Sequence, residues 1–356
     1  MKSWKRSTRG PVGIDVGSRS IKAVQLGHSS RGWCVEAAAL LPRVAPHEPI
    51  SESEAARLCG TLNRQGFGGR DAVLAAPDPG VMTDVLELPP RSSDAPLDQI
   101  ARMEMARTKQ FDPGKVEMAC WDVPAPVRCG AATHVMAAAC PHDDAERLLE
   151  LFEAAGWRVA ALDVEGWALA RACASALGPP EELSAAVDIG ARGAVFFLFH
   201  QGVVVYERPL PDFSLAALFK AIDAQVDFDG ELIEHLVIGV GLECTATEDP
   251  SAVADLSDIQ SVITGHLEKL IEELRVSISY STHRYPDAVL NSVVLVGGGA
   301  AIPGLAGKIG DAIGVDVRAV SPADLVACDE SVRRSCTTPA LTTALGLAQY
   351  GIASES

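Results

Sequence analysis

The sequence predicts an α/β fold of two related halves, with a small α+β insert in the first half. A repeated pattern indicates the halves: an apolar strand leads into Asp-x-Gly at residues 13–17 and again at 187–190. A repeat separated by about 170 residues indicates two large, similar units and not a short-period solenoid. The insert is indicated by residues 81–140, where the pattern changes to alternating strands around one helix.

The first half opens with a strand–turn–strand pattern. Its strands are predicted at residues 12–16, 21–26, 32–41, 71–76 and 157–163. A helix is predicted at 54–65, with Ser51 or Ser53 as its N-cap. Two more helices, at 143–155 and 166–176, follow the insert and complete the half.

The insert and the second half have patterns of their own. In the insert, strands are predicted at 81–88, 117–123 and 133–139, and a helix at 95–110 with Asp94 as its N-cap. A Gly-Pro-Pro-Glu-Glu segment at 178–182 is the candidate boundary between the halves. The second half is predicted to contain strands at 185–190, 194–199, 203–206 and 291–296, and helices at 256–283, 302–313 and 338–349.

Charge and composition exclude several classes of function. The chain has 30 basic and 47 acidic residues, a net charge of −17, so it is a poor nonspecific binder of nucleic acid or of an anionic membrane. Residues 1–9 carry only positive charges and are expected to form a solvated tail. No apolar run reaches the ~18 residues that span a bilayer. The nine cysteines include no C-x-x-C pair, which indicates reduced thiols of a cytosol and neither disulfides nor structural zinc.

Two Asp-x-Gly turns and one triple glycine, each directly after a strand, form the candidate site for a nucleotide. Glycine lets backbone N–H groups approach phosphates closely. Asp15 and Asp188 would hold a hydrated Mg²⁺ from equivalent places in the two halves, because carboxylate oxygens suit this ion. Ser18 and Ser20 offer hydroxyls to a phosphate, and Lys22 offers a positive charge.

Each of these motifs alone has a more ordinary interpretation. One Asp-x-Gly after a strand is usually a β-turn, and a triple glycine such as 297–299 is usually a tight connection from strand to helix. The combination of all three motifs in this order favours nucleotide binding. A partial P-loop at 304–308 and an incomplete dinucleotide fingerprint at 239–241 lack the full spacing.

These motifs resemble the PilM family, the actin-like cytoplasmic proteins of type IV pilus assembly. The resembling segments are GIDVGSRSIKAVQL at 13–26, EMAR at 104–107, FDP at 111–113, ALDVEGWALARA at 161–172, VVLVGGGAAIPGL at 293–305 and ALGLA at 344–348. They cover nearly the whole chain except residues 211–250. The phosphate motif alone is shared with FtsA, actin and sugar kinases, so the combination and the order indicate the family.

The resemblance implies an actin-like ATPase fold, with ATP and Mg²⁺ in the cleft between two lobes. The first lobe would comprise residues 1–80 and 141–180, and an FtsA-like α+β insert would comprise 81–140. The second lobe would be 181–356, with a helical subdomain near 212–290.

The resemblance also assigns site residues. Those expected to bind the nucleotide are Asp15, Gly17, Ser18, Lys22, Asp188, Gly190, Gly193, Gly297, Gly298 and Gly299. Asp163 and Glu165 lie where a related enzyme would orient the attacking water, or they serve only the start of a first-lobe helix. Arg192 stands where the family has a small hydroxyl residue, so ATP hydrolysis is expected to be slow or lost.

The function that the resemblance implies is a cytoplasmic ATP-binding scaffold of a type IV pilus or type II secretion-like machine. The cytoplasmic tail of a bitopic, PilN-like protein would recruit it to the inner face of the inner membrane. This tail would lie between the insert and the first lobe, with 81–88 and 95–110 as walls. Self-association stays open. Two alternatives also remain: a small-molecule kinase of the same fold, and an FtsA-like division protein.

Overall fold

The computed structural model describes residues 8–30, 32–77, 80–126, 131–225, 230–239, 241–242 and 250–352. Its strands are β1 (Thr8–Val16), β2 (Ser20–Ser29), β3 (Gly32–Pro42), β4 (Asp71–Ala75), β5 (Met82–Leu88), β6 (Val116–Asp122), β7 (Thr133–Pro141), β8 (Arg158–Asp163), β9 (Leu183–Ile189), β10 (Ala194–His200), β11 (Val203–Leu210), β12 (Leu290–Val296) and β13 (Asp316–Ala319). Its α-helices are α1 (Glu52–Arg64), α2 (Leu97–Lys109), α3 (His142–Ala154), α4 (Glu165–Cys173), α5 (Leu215–Asp223), α6 (Gly230–Gly239), α7 (Pro250–Arg284), α8 (Leu305–Ile313), α9 (Pro322–Leu325) and α10 (Thr342–Ala348).

Two five-stranded sheets have the same topology. The first has the order β3-β2-β1-β4-β8 and the second the order β11-β10-β9-β12-β13. In each, three consecutive strands pair antiparallel, and two later strands add in parallel beside the first of them. The parallel additions require crossover connections, which the helices supply. The described chain is therefore an α/β protein with a repeated half, as the sequence predicts.

The last helix of each half packs on the other half. Helix α4 contacts β11 of the second sheet, and a Cβ on Gly166 of α4 would lie 3.1 Å from the Phe197 ring. Helix α10 contacts β1, β2 and β4 of the first sheet. It also crosses α4 so closely that a Cβ on Gly346 would lie 1.8 Å from the carbonyl oxygen of Ala168. The two sheets are thus joined by a crossing of two helices whose backbones nearly touch.

The three-stranded sheet, in the order β5-β7-β6, is antiparallel and interrupts the first half between β4 and α3. Helix α2 packs on it and gives it a core of its own, which includes Met105 and Ala137. Trp121 of β6 lies 4.1 Å, between ring centroids, from Trp167 of α4. The Tyr285 hydroxyl donates to the carbonyl of Pro124. Both halves therefore contact this small unit.

The second sheet is buried on both faces. Phe196, Phe197, Leu198 and Phe199 follow one another along β10, and each is at most 2% exposed. Since consecutive strand residues point to opposite faces, layers must cover both sides. Helices α5 and α7 contribute to this core through residues such as Leu218. This cover holds the ends of β9 and β12 where the candidate site lies.

Local details differ from the predictions in three places. Ser51, and not Ser53, is the N-cap of α1, since its hydroxyl accepts from the N–H of Glu54. The N-cap of α2 is Pro96; Asp94 takes a left-handed conformation with φ 53°, so its prediction as N-cap is wrong. Residues 8 and 9 of the predicted tail belong to a strand, because β1 begins at Thr8. Residues 1–7 of that tail lie outside the described residues.

The cysteines and the helices agree with the expectations drawn from composition, as far as the structure describes them. Seven of the nine cysteines lie in the described residues, and all seven are free thiols. Cys129 and Cys244 lie outside them. Among the described helices, none combines the length and the apolar character that a membrane span needs.

Candidate functional site

The first candidate phosphate loop, residues 15–22, is a tight turn between β1 and β2. The N–H of Gly17 donates to the carbonyl of Ser20 at 3.0 Å, and the strand register pairs Asp15 with Lys22. The Lys22 Nζ lies 2.9 Å from Asp15 Oδ2. A Cβ on Gly17 would lie 2.3 Å from this Nζ, so the end of the lysine side chain lies directly over this glycine. The loop therefore presents a cation and a carboxylate together.

A buried arginine supports this loop from behind. The Arg43 guanidinium donates to the carbonyls of Gly17 and Glu48, each at 2.9 Å, and to the Glu54 carboxylate at 2.9 Å. The side chains of Arg43 and Glu54 are 2% and 5% exposed. The N–H of His47 donates to the carbonyl of Ser18 at 2.7 Å. The segment from Arg43 to Glu48 thus fixes the backbone of the first phosphate loop.

The Arg43–Glu54 pair predicts a pH-dependent loss of stability. Burial alone would raise the pKa of Glu54, but hydrogen bonds from Arg43 and from the N–H of Val44 outweigh it and lower this pKa. Such a carboxyl stabilises the fold fully above its unfolded pKa of about 4.3, and this contribution is lost as the pH falls toward the lower folded pKa. We therefore expect the difference in unfolding free energy between wild type and Glu54→Gln to shrink between about pH 5 and pH 3.

Urea denaturation at several pH values measures this difference. Glu150→Gln on the exposed surface of α3 is the matched control, and it should differ little from wild type throughout. A Glu54→Gln difference that stays constant over the acidic range would contradict the lowered pKa.

The second candidate phosphate loop, residues 188–193, follows β9. The N–H of Gly190 donates to the carbonyl of Gly193 at 2.9 Å, which closes the turn. The carbonyls of Gly190 and Ala191 accept from the first N–H groups of α5, so the helix start holds this loop. A Cβ on Gly193 would meet nothing within 4 Å. Open space therefore lies beside this residue.

The triple glycine lies against the second loop. Gly297 has φ 82°, and a Cβ there would lie 2.1 Å from Asp188 Oδ1. Gly299 is needed for contact with Ile189, since its Cβ would lie 2.2 Å from that side chain. The Thr343 hydroxyl lies 3.5 Å from Asp188 Oδ2. Asp188 is thus positioned by the turn after β12 and by the start of α10.

Four charged or titratable groups from four elements meet between the loops. They are Asp15 of β1, Lys22 of β2, Glu165 at the first position of α4, and Asp188 of β9. Burial alone would lower the pKa of Lys22, but Asp15, Asp188 and Glu165 together outweigh this effect and raise it. The lysine is therefore held as a cation among three carboxyl side chains.

The Glu165 side chain is partly buried. Burial raises its pKa well above the usual range, and Asp188, with which it shares a hydrogen bond, raises it further. Asp15 and Glu207 add to this effect. The neutral, protonated form of Glu165 is therefore favoured, and it can donate to Asp188.

Asp163 lies elsewhere, although it is only two positions from Glu165. Its carboxylate pairs with Arg171 of α4 and accepts from the N–H of Val164 at 2.9 Å. Arg171 also donates to the carbonyl of Gly346 in α10 at 3.0 Å. Burial raises the pKa of Asp163, and Arg171 opposes this. Asp163 therefore ties β8 to the crossing of α4 and α10, and it does not join the group around Asp15 and Asp188.

The donor set fits a magnesium–phosphate group. Asp15 and Asp188 could supply hard oxygen ligands of the kind that Mg²⁺ takes, and Lys22 could supply a cation for phosphate. Among the described residues, no three His, Cys, Asp or Glu side chains are arranged to hold a metal ion by themselves. The arrangement therefore suits a hydrated ion that brings its own phosphate and water ligands.

The comparisons with known proteins decide the family. A family model described as the type IV pilus assembly protein PilM matches residues 13–351. The chain belongs to the PilM family. A chain of the solved PilM–PilN type IV pilus biogenesis complex is 23% identical, with a TM-score of 0.77 and coverage of 97% of this chain and 99% of that chain.

More distant structures share the PilM fold. The ethanolamine utilization protein EutJ from Carboxydothermus hydrogenoformans is 16% identical, with a TM-score of 0.54 over 97% of this chain and 90% of that chain. MreB 5 of Spiroplasma citri, solved with bound AMPPNP, is 12% identical, with a TM-score of 0.52 over 94% and 95%. These likenesses confirm the predicted two-lobed actin-like ATPase fold.

Sequence reasoning missed part of the site of this PilM-family chain. Arg43 and Glu54 support the first loop, and Thr343 contacts Asp188, yet none belongs to a motif. The one available signal was an arginine directly after the apolar strand β3, which is not specific. Ser18 is placed in the first loop through its backbone, and Arg192 extends from the second loop toward the carbonyl of His47.

Proposed function

We propose that this chain binds ATP with Mg²⁺ between its lobes and serves as a scaffold in type IV pilus assembly. The observation that carries the proposal is the meeting of Asp15, Lys22, Glu165 and Asp188 at the ends of two equivalent strand–turn motifs. Membership of the PilM family supports the role in pilus assembly. It also favours this role over a small-molecule kinase or an FtsA-like division protein.

Each group has a proposed part in binding. Lys22 would pair with phosphate oxygens, while Asp15 and Asp188 would hold Mg²⁺ through its waters. The backbone N–H groups of the two loops, from Gly17 and Ser18 and from Gly190 and Gly193, would approach the phosphates. Bound Mg²⁺ would neutralise charge on the phosphates.

The adenosine would lie beside the triple glycine. A cavity of about 510 Å³ borders the residues that follow Gly297-Gly298-Gly299, and its lining includes Ile302 and Ser321. Ligand pockets commonly have volumes of about 300–1,000 Å³. In open α/β sheets, ligands bind beyond the carboxyl ends of the strands, and this cavity follows β12 and β13.

Hydrolysis is proposed to be slow. Glu165 is the one of the two carboxyls expected to orient water that joins the site, where it shares a hydrogen bond with Asp188. A carboxyl held in this way is less available to an attacking water. Asp163 is committed to Arg171. The nucleotide would therefore stabilise lobe closure more than support turnover.

We expect Asp15→Asn and Asp188→Asn each to weaken Mg²⁺-dependent ATP binding by about 10–100-fold, because each carboxylate orients waters of the ion. Binding measured in EDTA should weaken less. Isothermal titration calorimetry, with and without EDTA, gives both values. Asp316→Asn, an exposed carboxylate of β13, is the matched control. The proposal fails if the wild type gives no heat and millimolar ATP leaves its melting temperature unchanged.

The proposed partner is the cytoplasmic tail of a PilN-like bitopic protein, which would bring the chain to the inner face of the inner membrane. A relative was solved as a PilM–PilN complex, which supports this choice. Residues 81–140 are proposed as a subdomain inserted in a first lobe of 1–80 and 141–180, with 181–356 as the second lobe. The insert offers the edge strands β5 and β6, and Met103 of α2 is 63% exposed.

Cross-linking the tail peptide to this protein should map to 81–88 and 95–110. We expect Met103→Glu to weaken peptide binding about fivefold or more, because it places a charge on an apolar contact. Fluorescence anisotropy of the labelled peptide measures this. Val289→Glu is the matched control, at a side chain that is 72% exposed and lies in the second half. Cross-links confined to α7 would point to a different docking surface.

A further inference from the structure

Both phosphate loops carry an arginine at the same place. The first reads Asp15-x-Gly-x-Arg19 and the second Asp188-x-Gly-x-Arg192. Since the two halves repeat the same topology, these arginines occupy equivalent positions on the two sides of the cleft. Nothing in the binding of phosphate by backbone N–H groups requires this symmetry. The contacts that the two arginines make explain the symmetry.

Arg19 reaches from the first half to the second. Its Nη2 lies 2.7 Å from Glu234 Oε2 of α6, and its guanidinium carbon lies 5.2 Å from the centroid of the Phe219 ring of α5. An ion pair and a cation–π contact therefore act on one guanidinium. Both partners belong to helices that follow β11, on the far side of the cleft.

Arg192 reaches in the opposite direction. Its Nη2 lies 3.4 Å from the carbonyl oxygen of His47, in the first half. His47 has a left-handed φ of 67°, which is uncommon for a residue other than glycine. Its N–H donates to the carbonyl of Ser18. Arg192 therefore contacts the segment that fixes the first phosphate loop.

We propose that Arg19 and Arg192 form a cross-cleft clasp, through Glu234 with Phe219 and through His47, that keeps the lobes closed and slows the release of nucleotide. The inference rests on the proposed nucleotide binding. In this arrangement the arginines connect one lobe to the other and are not the principal ligands of the phosphates. The Arg19 and Glu234 side chains are 38% and 49% exposed, so water screens the pair and the expected effect is moderate.

The variant Glu234→Gln separates the clasp from direct phosphate binding, because the two roles predict opposite changes in the rate at which nucleotide dissociates. If Arg19 clasps α6, removal of the carboxylate loosens closure, and a bound fluorescent ATP analogue should dissociate about twofold to fivefold faster. If Arg19 serves the phosphates, removal of its competitor should slow dissociation. Stopped-flow displacement by excess ATP measures the rate.

Two further variants complete the design. In an Arg19→Gln background, Glu234→Gln should add nothing, because the two side chains act through each other. Asp122→Asn removes the partner of Arg91, another exposed ion pair, on the insert, and should leave the dissociation rate unchanged. Slower or unchanged dissociation in Glu234→Gln, or additive effects of the pair, would overturn the clasp.

Hydrogen exchange of the nucleotide-free protein keeps this test independent of the proposed function. The clasp predicts faster exchange over α6 (Gly230–Gly239) in Glu234→Gln than in wild type, because the helix loses a link to the first half. If the wild type binds no analogue, nucleotide binding fails, while this exchange still decides the clasp. Identical exchange in both proteins would contradict it.

Discussion

Arg43→Met is expected to lower the free energy of unfolding by about 3–5 kcal/mol. The substitution introduces an apolar side chain of similar length, and it leaves the Glu54 carboxylate buried without its cation. It also removes the donors to the carbonyls of Gly17 and Glu48. Buried acceptors without a partner destabilise a fold further. Urea denaturation followed by circular dichroism gives the free energy.

A second variant separates stability from loop position. In Arg43→Met with Glu54→Gln no charge stays buried, and the glutamine oxygen can still accept from the N–H of Val44. We expect this double variant to recover part of the lost stability but not the ATP affinity, since Gly17 still lacks its donor. Arg91→Met on the insert surface is the control and should cost less than about 0.5 kcal/mol. Equal losses for Arg43→Met and Arg91→Met would contradict the supporting role.

Gly346→Ala is expected to destabilise the protein by about 3 kcal/mol or more, through overpacking. The added Cβ would lie 1.8 Å from the carbonyl oxygen of Ala168 and 2.4 Å from its carbon. These atoms belong to the backbone of α4, so no side-chain rotation relieves the clash. Helices α4 and α10 would have to separate, and the contact between the two halves would be lost with them.

Gly307→Ala is the matched control, because it is the same change in another helix. Gly307 lies in α8, and a Cβ there meets nothing within 4 Å. Alanine is a better helix former than glycine, so we expect this variant to be more stable by about 0.5–1 kcal/mol. Thermal and urea unfolding of both variants give the comparison. A Gly346→Ala protein as stable as the wild type would show that the helices do not cross this closely.

Local patterns were sufficient for most elements and for finding the two candidate phosphate loops. The Asp-x-Gly turns after β1 and β9 could be found because strand periodicity and glycine are local signals. The repeat of one motif in both halves then predicted that Asp15 and Asp188 share a site. The structure brings both side chains to Lys22.

Contacts between distant segments could not be predicted. Arg171 donates to the carbonyl of Gly346, 175 positions away, and this contact decides that Asp163 serves the helix crossing. Two neighbouring carboxyls of one motif thus have different surroundings, because one ends β8 and the other begins α4. Periodicity assigns each residue an element and a face. It says nothing about which helix of the other half covers that face.

The exchange of terminal helices has a consequence for synthesis on the ribosome. Leu347 of α10 packs with Val73 of β4 and Ala168 of α4, so part of the first half's core is supplied by a helix that is synthesised much later. About 170 residues separate α4 from α10, which corresponds to roughly 10–30 s of translation at common elongation rates. During that interval the nascent first half lacks the α10 side chain that covers Val73 and Ala168. The core of the first half is therefore completed only after most of the second half has been synthesised.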